Sequence, residues 1–346
     1  LKIYLAYAQA GLDSDKNSPF IPYIQALPLL DQTGSPYVWN AEQKAFLKGT
    51  NLGNSLKENT AALVEEWWTV VNKIPEDQPK PTRHFENLKF YYEFKFYEDQ
   101  QLYEYLIGSE KENWTSFPRY LWASMMLKSR AFPCYLAKDF LLPYEVAKDE
   151  AMLLPVIDLL NHNPSAHVQW SCSKDGFFEL TSEDPVTAGG EIFNNYGLKG
   201  NEELLLAYGF CLKDNAADSA ALKIKVPLEI LPQLEDPGVQ LPKITDYTTS
   251  VVDYDQKDDE NESDNAKNTK NYEEYKDGLL FFITEANLPE NLVKLFQCLV
   301  RNQYESNKIT LRMQLAGINQ LRHAIEAKKG ALPQFLASQN DSVTEN

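Results

Sequence analysis

Ser129-Arg130-Ala131-Phe132, Asp158-Leu159-Leu160-Asn161-His162 and Asn195-Tyr196-Gly197 follow one another in this order, and the last runs on through Asn201-Glu202-Glu203-Leu204 to Ala207-Tyr208-Gly209-Phe210. Between and around them, over residues 151–226, short apolar runs separated by Gly, Pro, Asn and Asp turns predict brief strands. Residues 167–172 and 177–180 are expected to pair as a hairpin across Ser173-Lys174-Asp175-Gly176, where the aspartate and glycine suit a tight turn. Just upstream, residues 119–129 predict an apolar helix that ends near 130–133.

The flanks read differently. Residues 1–10 suggest a helix, and residues 18–28 form a Pro-punctuated segment with aromatic anchors. Over 41–73 the apolar residues Phe46, Leu63, Val64, Trp67 and Val71 recur at helical spacing, and further helical stretches are expected over 91–106. After residue 226 the texture is helical again, at 290–301 and 308–329. The second of these places Leu311, Leu315, Ile318 and Ile325 on one side and ends before Gly330. Asp255 to Asp264 is acidic and nearly devoid of apolar residues, so it is expected to be a flexible loop within 251–275.

Composition sets limits. At 346 residues the chain is long enough for two domains, or for one large domain with an insertion. A formal charge of −17 disfavours binding to nucleic-acid phosphates and favours a basic partner. Cys134, Cys172, Cys211 and Cys298 are widely spaced, without metal-ligand pairing, which fits a reducing compartment and predicts neither a zinc cluster nor a disulfide framework. No apolar run approaches the length of a membrane span.

Singly, the motifs are ordinary. An Asn-His pair is more often a turn with a hydrogen-bonded histidine than a cofactor contact, Tyr-Gly at a strand end is usually a packed aromatic, and Arg130 suits a helix C-terminus. As an ordered set they resemble the SET-domain protein lysine methyltransferases typified by the plant Rubisco large-subunit methyltransferase, a group that includes fungal enzymes acting on ribosomal and translation proteins. The resemblance covers the whole chain.

It implies an α+β fold: a SET core of small β-sheets with pseudoknot-like threading in residues 1–225, a large helical insertion at about 18–119, and a helical C-terminal substrate-binding domain in 226–346. It implies S-adenosyl-L-methionine as cofactor, no metal, and transfer of methyl groups to a lysine of a non-histone protein, a basic ribosomal or translation protein. The cytoplasm is the expected location, with the nucleus as an alternative. Residue by residue, Asn161 and His162 match the adenine-side junction, and Tyr196 and Tyr208 match the tyrosines at the methyl-transfer channel. Ser129 and Asp158 match positions whose backbone carbonyls lie near the transferred methyl, and Arg130 the position beside the amino-acid part of the cofactor.

The family's glycine-rich segment at the methionine end of the cofactor has no counterpart here. Leu1 to Tyr7 resembles the helix that follows it, so the sequence is expected to begin downstream. Asn163-Pro164 also stands where the family motif often continues with serine. The acceptor stays open between lysine and histidine, since an actin-histidine methyltransferase shares this architecture. A catalytically silent binding protein on the same fold is the third possibility.

Overall fold

The computed structural model describes residues 1–11, 18, 20–75, 83–108, 113–141, 150–235, 238–242, 272–276, 278–306 and 308–332. Residues 255–264 and 338–346 lie outside the described residues. The chain divides into two compact units. The first comprises Leu1–Leu47, Ser55–Leu198 and Glu202–Leu212, the second Lys48–Asn54, Lys199–Asn201 and Lys213–Asn346.

The first unit begins with helices α1 (Lys2–Gln9), α2 (Phe20–Ala26) and α3 (Ala41–Ala45). Helix α3 starts on a capping box in which Asn40 and Gln43 each accept a hydrogen bond from the other's backbone N–H, at 2.9 and 3.0 Å. Helical periodicity over 41–73 suggests one helix, but the structure breaks it: α3 ends at Ala45 and α4 spans Asn51–Val71. Gly49 lies between them at φ 81°, a conformation that suits glycine and stops a helix.

Helices α5 (His84–Glu93), α6 (Asp99–Gly108) and α7 (Phe117–Arg130) follow. They close on an aromatic core in which Phe90 stacks on Tyr105 at 4.1 Å and on Phe117 at 5.3 Å, with the fully buried Trp67 edge-on at 5.7 Å. The Trp67 indole donates to the Thr115 carbonyl at 2.8 Å, so its one polar group is satisfied. Removing such a ring costs about 3–5 kcal/mol. This packing fixes α7, whose C-terminal Ser129 and Arg130 reach the site described below.

After α7 the chain extends as β1 (Ala131–Pro133), forms the short helix α8 (Lys138–Leu141), and returns as β2 (Ala151–Leu153) antiparallel to β1. The expected hairpin forms as β3 (Val168–Cys172) and β4 (Phe178–Ser182), with Gly176 in the turn at φ 83°. Phe132 packs edge-on against Trp170 and Phe178, at 4.9 and 5.4 Å, joining the two ladders. An isolated parallel bridge, His162 to Asn194, ties two segments far apart in sequence. Helix α9 (Asn201–Tyr208) follows.

The second unit pairs β5 (Ala220–Ile224) with β6 (Leu279–Ile283) and packs α10 (Leu231–Glu235), α11 (Glu290–Leu299) and α12 (Leu311–Ala331) around a core that includes Leu231, Leu279, Leu292 and Leu295. The apolar residues that share one side of α12 are not its buried ones, and the helix runs past Gly330, to Ala331. Leu311, Leu315 and Ile318 are exposed, while Met313, Gly317 and Leu321 are buried. Gly317 selects the face: a Cβ there would stand 2.7 Å from the Gln297 backbone, so α11 and α12 approach closely only along this line.

Candidate active site

The sequence motifs meet around one cavity of about 210 Å³ in the first unit, lined by Ser129, Arg130, Asp158, Asn161, Tyr196 and Tyr208 among others. The bridge between His162 and Asn194 builds one side. The Asn194 N–H donates to the Asn161 carbonyl at 2.8 Å and its carbonyl accepts from the Asn163 N–H at 2.9 Å. These two bonds use the peptide groups of Asn161 and Asn163. By strand alternation the N–H and C=O of His162 point the opposite way.

Asn194 is buried, and its side-chain oxygen accepts from the Trp170 indole at 3.0 Å and from the Asn195 N–H at 2.8 Å. Asn195 in turn accepts from the Gly197 N–H at 2.9 Å and donates to the Ala166 carbonyl at 3.0 Å. The Asn-Asn-Tyr-Gly string is thus a turn locked by its own amide side chains.

That turn presents Tyr196. Its N–H donates to His162 Nδ1 at 3.1 Å, so a neutral His162 carries its proton on Nε2. Its hydroxyl donates to the Leu160 carbonyl at 2.8 Å, which leaves the oxygen lone pairs as acceptors. The Tyr196 ring lies between two others, stacked on His162 at 5.0 Å and on Tyr208 at 4.7 Å. His162 is therefore behind Tyr196 rather than on the cavity wall. Burial pushes the hydroxyls of Tyr196 and Tyr208 above the usual tyrosine range, with Arg130 offsetting part of the effect at Tyr196, so both stay neutral at physiological pH.

The opposite wall is polar. The Asp158 side chain is fully buried, and Arg130 Nη1 donates to the Asp158 backbone carbonyl at 3.1 Å and lies 3.4 Å from Oδ2. Arg130 Nε and Asp158 Oδ1 are buried without a hydrogen-bond partner among the described residues. Buried polar groups of a finished site are normally paired, so this wall keeps capacity for a polar ligand. Asn161 donates from Nδ2 to Glu191 at 2.7 Å.

Sequence reasoning missed several neighbours. Tyr23 of α2 donates its hydroxyl to Asp158 Oδ2 at 2.6 Å. Pro28, whose carbonyl accepts from the Trp122 indole at 2.8 Å, also lines the cavity, as do Gln32, Thr33, Met125, Met126 and Phe210 of the last motif. The sequence signal for Tyr23 was its place as an aromatic within the Pro-punctuated stretch 18–28.

A last feature closes the cavity. Thr33-Gly34 crosses Gly209 so tightly that a Cβ on Gly209 would overlap the Thr33 carbonyl oxygen and stand 2.8 Å from its carbon. Gly209 has φ 81° and Gly34 φ 69°. Beside the crossing, the buried Ser35 donates from Oγ to the Leu206 carbonyl at 2.7 Å.

The fold is that of a SET domain. A solved structure of the SET domain of LSMT bound to methyllysine and AdoHcy superimposes with a TM-score of 0.53 at 17% identity, over 96% of this chain and 64% of that one. The chain is 33% identical to Ribosomal lysine N-methyltransferase 1 of Saccharomyces cerevisiae, over 96% of its own length and 57% of the relative's. It is 29% identical to Protein-lysine N-methyltransferase EFM1 of the same yeast, over 65% of its length and 39% of that protein's. The EFM1 middle domain family matches residues 259–346. The chain thus spans little more than half of the first relative and less of the second.

Proposed function

We infer that the protein transfers methyl groups from S-adenosyl-L-methionine to the side-chain nitrogen of a lysine in a ribosomal or translation-associated protein. The observation that carries this reading is the cavity itself: a tyrosine held between two rings by its backbone and its hydroxyl, facing a buried Arg130–Asp158 pair. The names of the yeast relatives supply the substrate class.

When bound, the cofactor supplies a methyl group on a positively charged sulfur. The chain's residues must deliver a neutral amine to it, because a free lysine with pKa near 10.4 is almost wholly protonated at neutral pH. Tyr196, Tyr208 and Phe210 remove water from the ammonium, which favours loss of its proton. The Tyr196 oxygen, committed as a donor to Leu160, accepts a hydrogen bond from the incoming amine and orients its lone pair. Arg130 fixes the Asp158 carbonyl, and Ser129 sits at the neighbouring helix end; these two carbonyls are the assigned guides for the methyl. Asn161 and His162 are the assigned adenine-side residues; the bridge to Asn194 uses the Asn161 carbonyl and turns the His162 peptide groups the other way. In-line alignment then supplies much of the rate.

The helical region after about residue 226 is assigned to substrate binding, and the net charge of −17 suits a basic partner. A cytoplasmic location, with the nucleus as alternative, accords with this substrate class. Among the described residues no helix is long and apolar enough to cross a membrane. The test is to incubate full-length protein with methyl-labelled S-adenosyl-L-methionine and ribosomes from cells lacking it, and to locate the label by mass spectrometry. Label on a lysine of a ribosomal or bound translation protein is expected; label on histidine, or none, overturns the proposal.

A further inference from the structure

The side-chain pair at the polar wall does not stand alone. Asp158 is buried in a 3-10 turn (Ile157–Leu159), and its Oδ1 has no partner among the described residues. The carboxylate is therefore held through Oδ2, which takes the Tyr23 hydroxyl at 2.6 Å and lies 3.4 Å from Arg130 Nη1. The same Nη1 donates to the Asp158 backbone carbonyl at 3.1 Å. The arrangement is a relay: Tyr23 sets the carboxylate, the carboxylate sets the guanidinium, and the guanidinium holds the carbonyl at the cavity wall.

Tyr23 comes from α2, 135 residues away in sequence, and does not itself line the cavity. It touches the chemistry only through Asp158. The guanidinium has weak restraint of its own, since its Nε is unpaired and the 3.4 Å contact to Oδ2 is long. The short bond from Tyr23 is the strongest restraint on the carboxylate.

We propose that Tyr23 is a positioning residue of the methyl-transfer site, acting through Asp158 and Arg130 to fix the Asp158 carbonyl. This rests on the function proposed above for the site. With the hydroxyl gone, the carboxylate keeps only the long contact to Arg130, and both side chains gain freedom. The carbonyl then loses its fixed position, while the Asn161–His162 side of the cavity, built on Asn194, is untouched. Turnover should therefore fall by more than cofactor affinity weakens, since Arg130 also matches the position beside the amino-acid part of the cofactor.

The test uses the full-length protein and the variants Tyr23→Phe, Asp158→Asn and the double variant. Tyr23→Phe keeps the ring and should lower single-turnover methyl transfer to ribosomes from cells lacking the protein about tenfold, as for a lost hydrogen bond to a charged group. Any rise in its dissociation constant for S-adenosyl-L-methionine, by calorimetry, should stay well below that fall in rate, and adding Tyr23→Phe to Asp158→Asn should cost less than about twofold in rate. In ligand-free protein, the NMR signal of Arg130 Nε–H, identified by its loss in Arg130→Lys, should become more mobile in both Tyr23→Phe and Asp158→Asn. An undiminished rate in Tyr23→Phe, losses that multiply in the double variant, or an unchanged Arg130 signal would each overturn the relay. Were the wild-type protein to leave ribosomes unlabelled, the proposed function would fail by itself, and the Arg130 signal would still decide the role of Tyr23. Should Tyr23→Phe not fold, the Arg130 signal in Asp158→Asn decides instead: unchanged mobility there refutes the relay.

Discussion

Gly209→Ala is the sharpest perturbation of the site's frame, because two separate costs meet at one added methyl group. Gly209 sits at φ 81°, where an alanine is strained by about 1–2 kcal/mol. The methyl would also overlap the Thr33 carbonyl oxygen and stand 3.1 Å from the Gly34 Cα, and these are backbone atoms that cannot rotate aside. Overpacking of this kind adds about 1–3 kcal/mol. The sum, about 2–5 kcal/mol, corresponds to a fall in Tm of about 6–15 °C at about 3 °C per kcal/mol. Gly197→Ala is the control: φ is 91°, yet nothing lies within 4 Å of the added carbon, so only the conformational cost of about 1–2 kcal/mol applies. Calorimetric unfolding of both variants separates the two terms. The reasoning is refuted if Gly209→Ala loses no more stability than Gly197→Ala. Because Thr33 lines the cavity, folded Gly209→Ala at low temperature should also bind S-adenosyl-L-methionine more weakly than Gly197→Ala does.

Tyr196→Phe should fold and bind S-adenosyl-L-methionine normally but lower single-turnover methyl transfer about a hundredfold, through loss of one preorganised polar contact worth about 3 kcal/mol; full activity on the authentic substrate would exclude the assigned role. Asn161→Ala should weaken cofactor affinity measured by calorimetry, since the turn held by Asn161 and Glu191 frames the assigned adenine contacts; unchanged affinity in folded protein would count against that assignment. Glu305 accepts hydrogen bonds from Arg312, from the Asn302 N–H and from Thr310, and the Arg312 bond foremost draws its carboxyl pKa down to about 2. A depressed carboxyl pKa stabilises the fold above the unfolded value near 4.3 and loses that effect as pH falls towards 2. Glu305→Gln should therefore be less stable than wild type at pH 7, and the gap in denaturation midpoint should close between about pH 4 and 2.

The parts of this molecule that were legible in its sequence are those whose chemistry is carried by neighbours in the chain. Asn195-Tyr196-Gly197 locks its own turn through the Asn195 side chain, and the Ser173 to Gly176 turn places β3 against β4, so both could be read from local strings. What depends on partners far apart could not. The α12 sequence shows its period plainly, yet apolar residues fall on more than one line along it, and the choice between them rests on the closeness of Gly317 to Gln297. The tight crossing of Gly34 and Gly209 is equally silent, since each glycine alone reads only as a turn. Tyr23 is the most telling case. An aromatic residue in a Pro-punctuated stretch reads as an anchor, and its ring does pack partly out of water; its function lies in a single oxygen 2.6 Å from a carboxylate that appears 135 residues later. Asp158 likewise reads as a member of a motif known for its backbone. Its buried side chain, held by one tyrosine and leaning on one arginine, gives the carbonyl of that motif a fixed position, so the side chains around the site have to be counted with the backbone groups of the cavity wall.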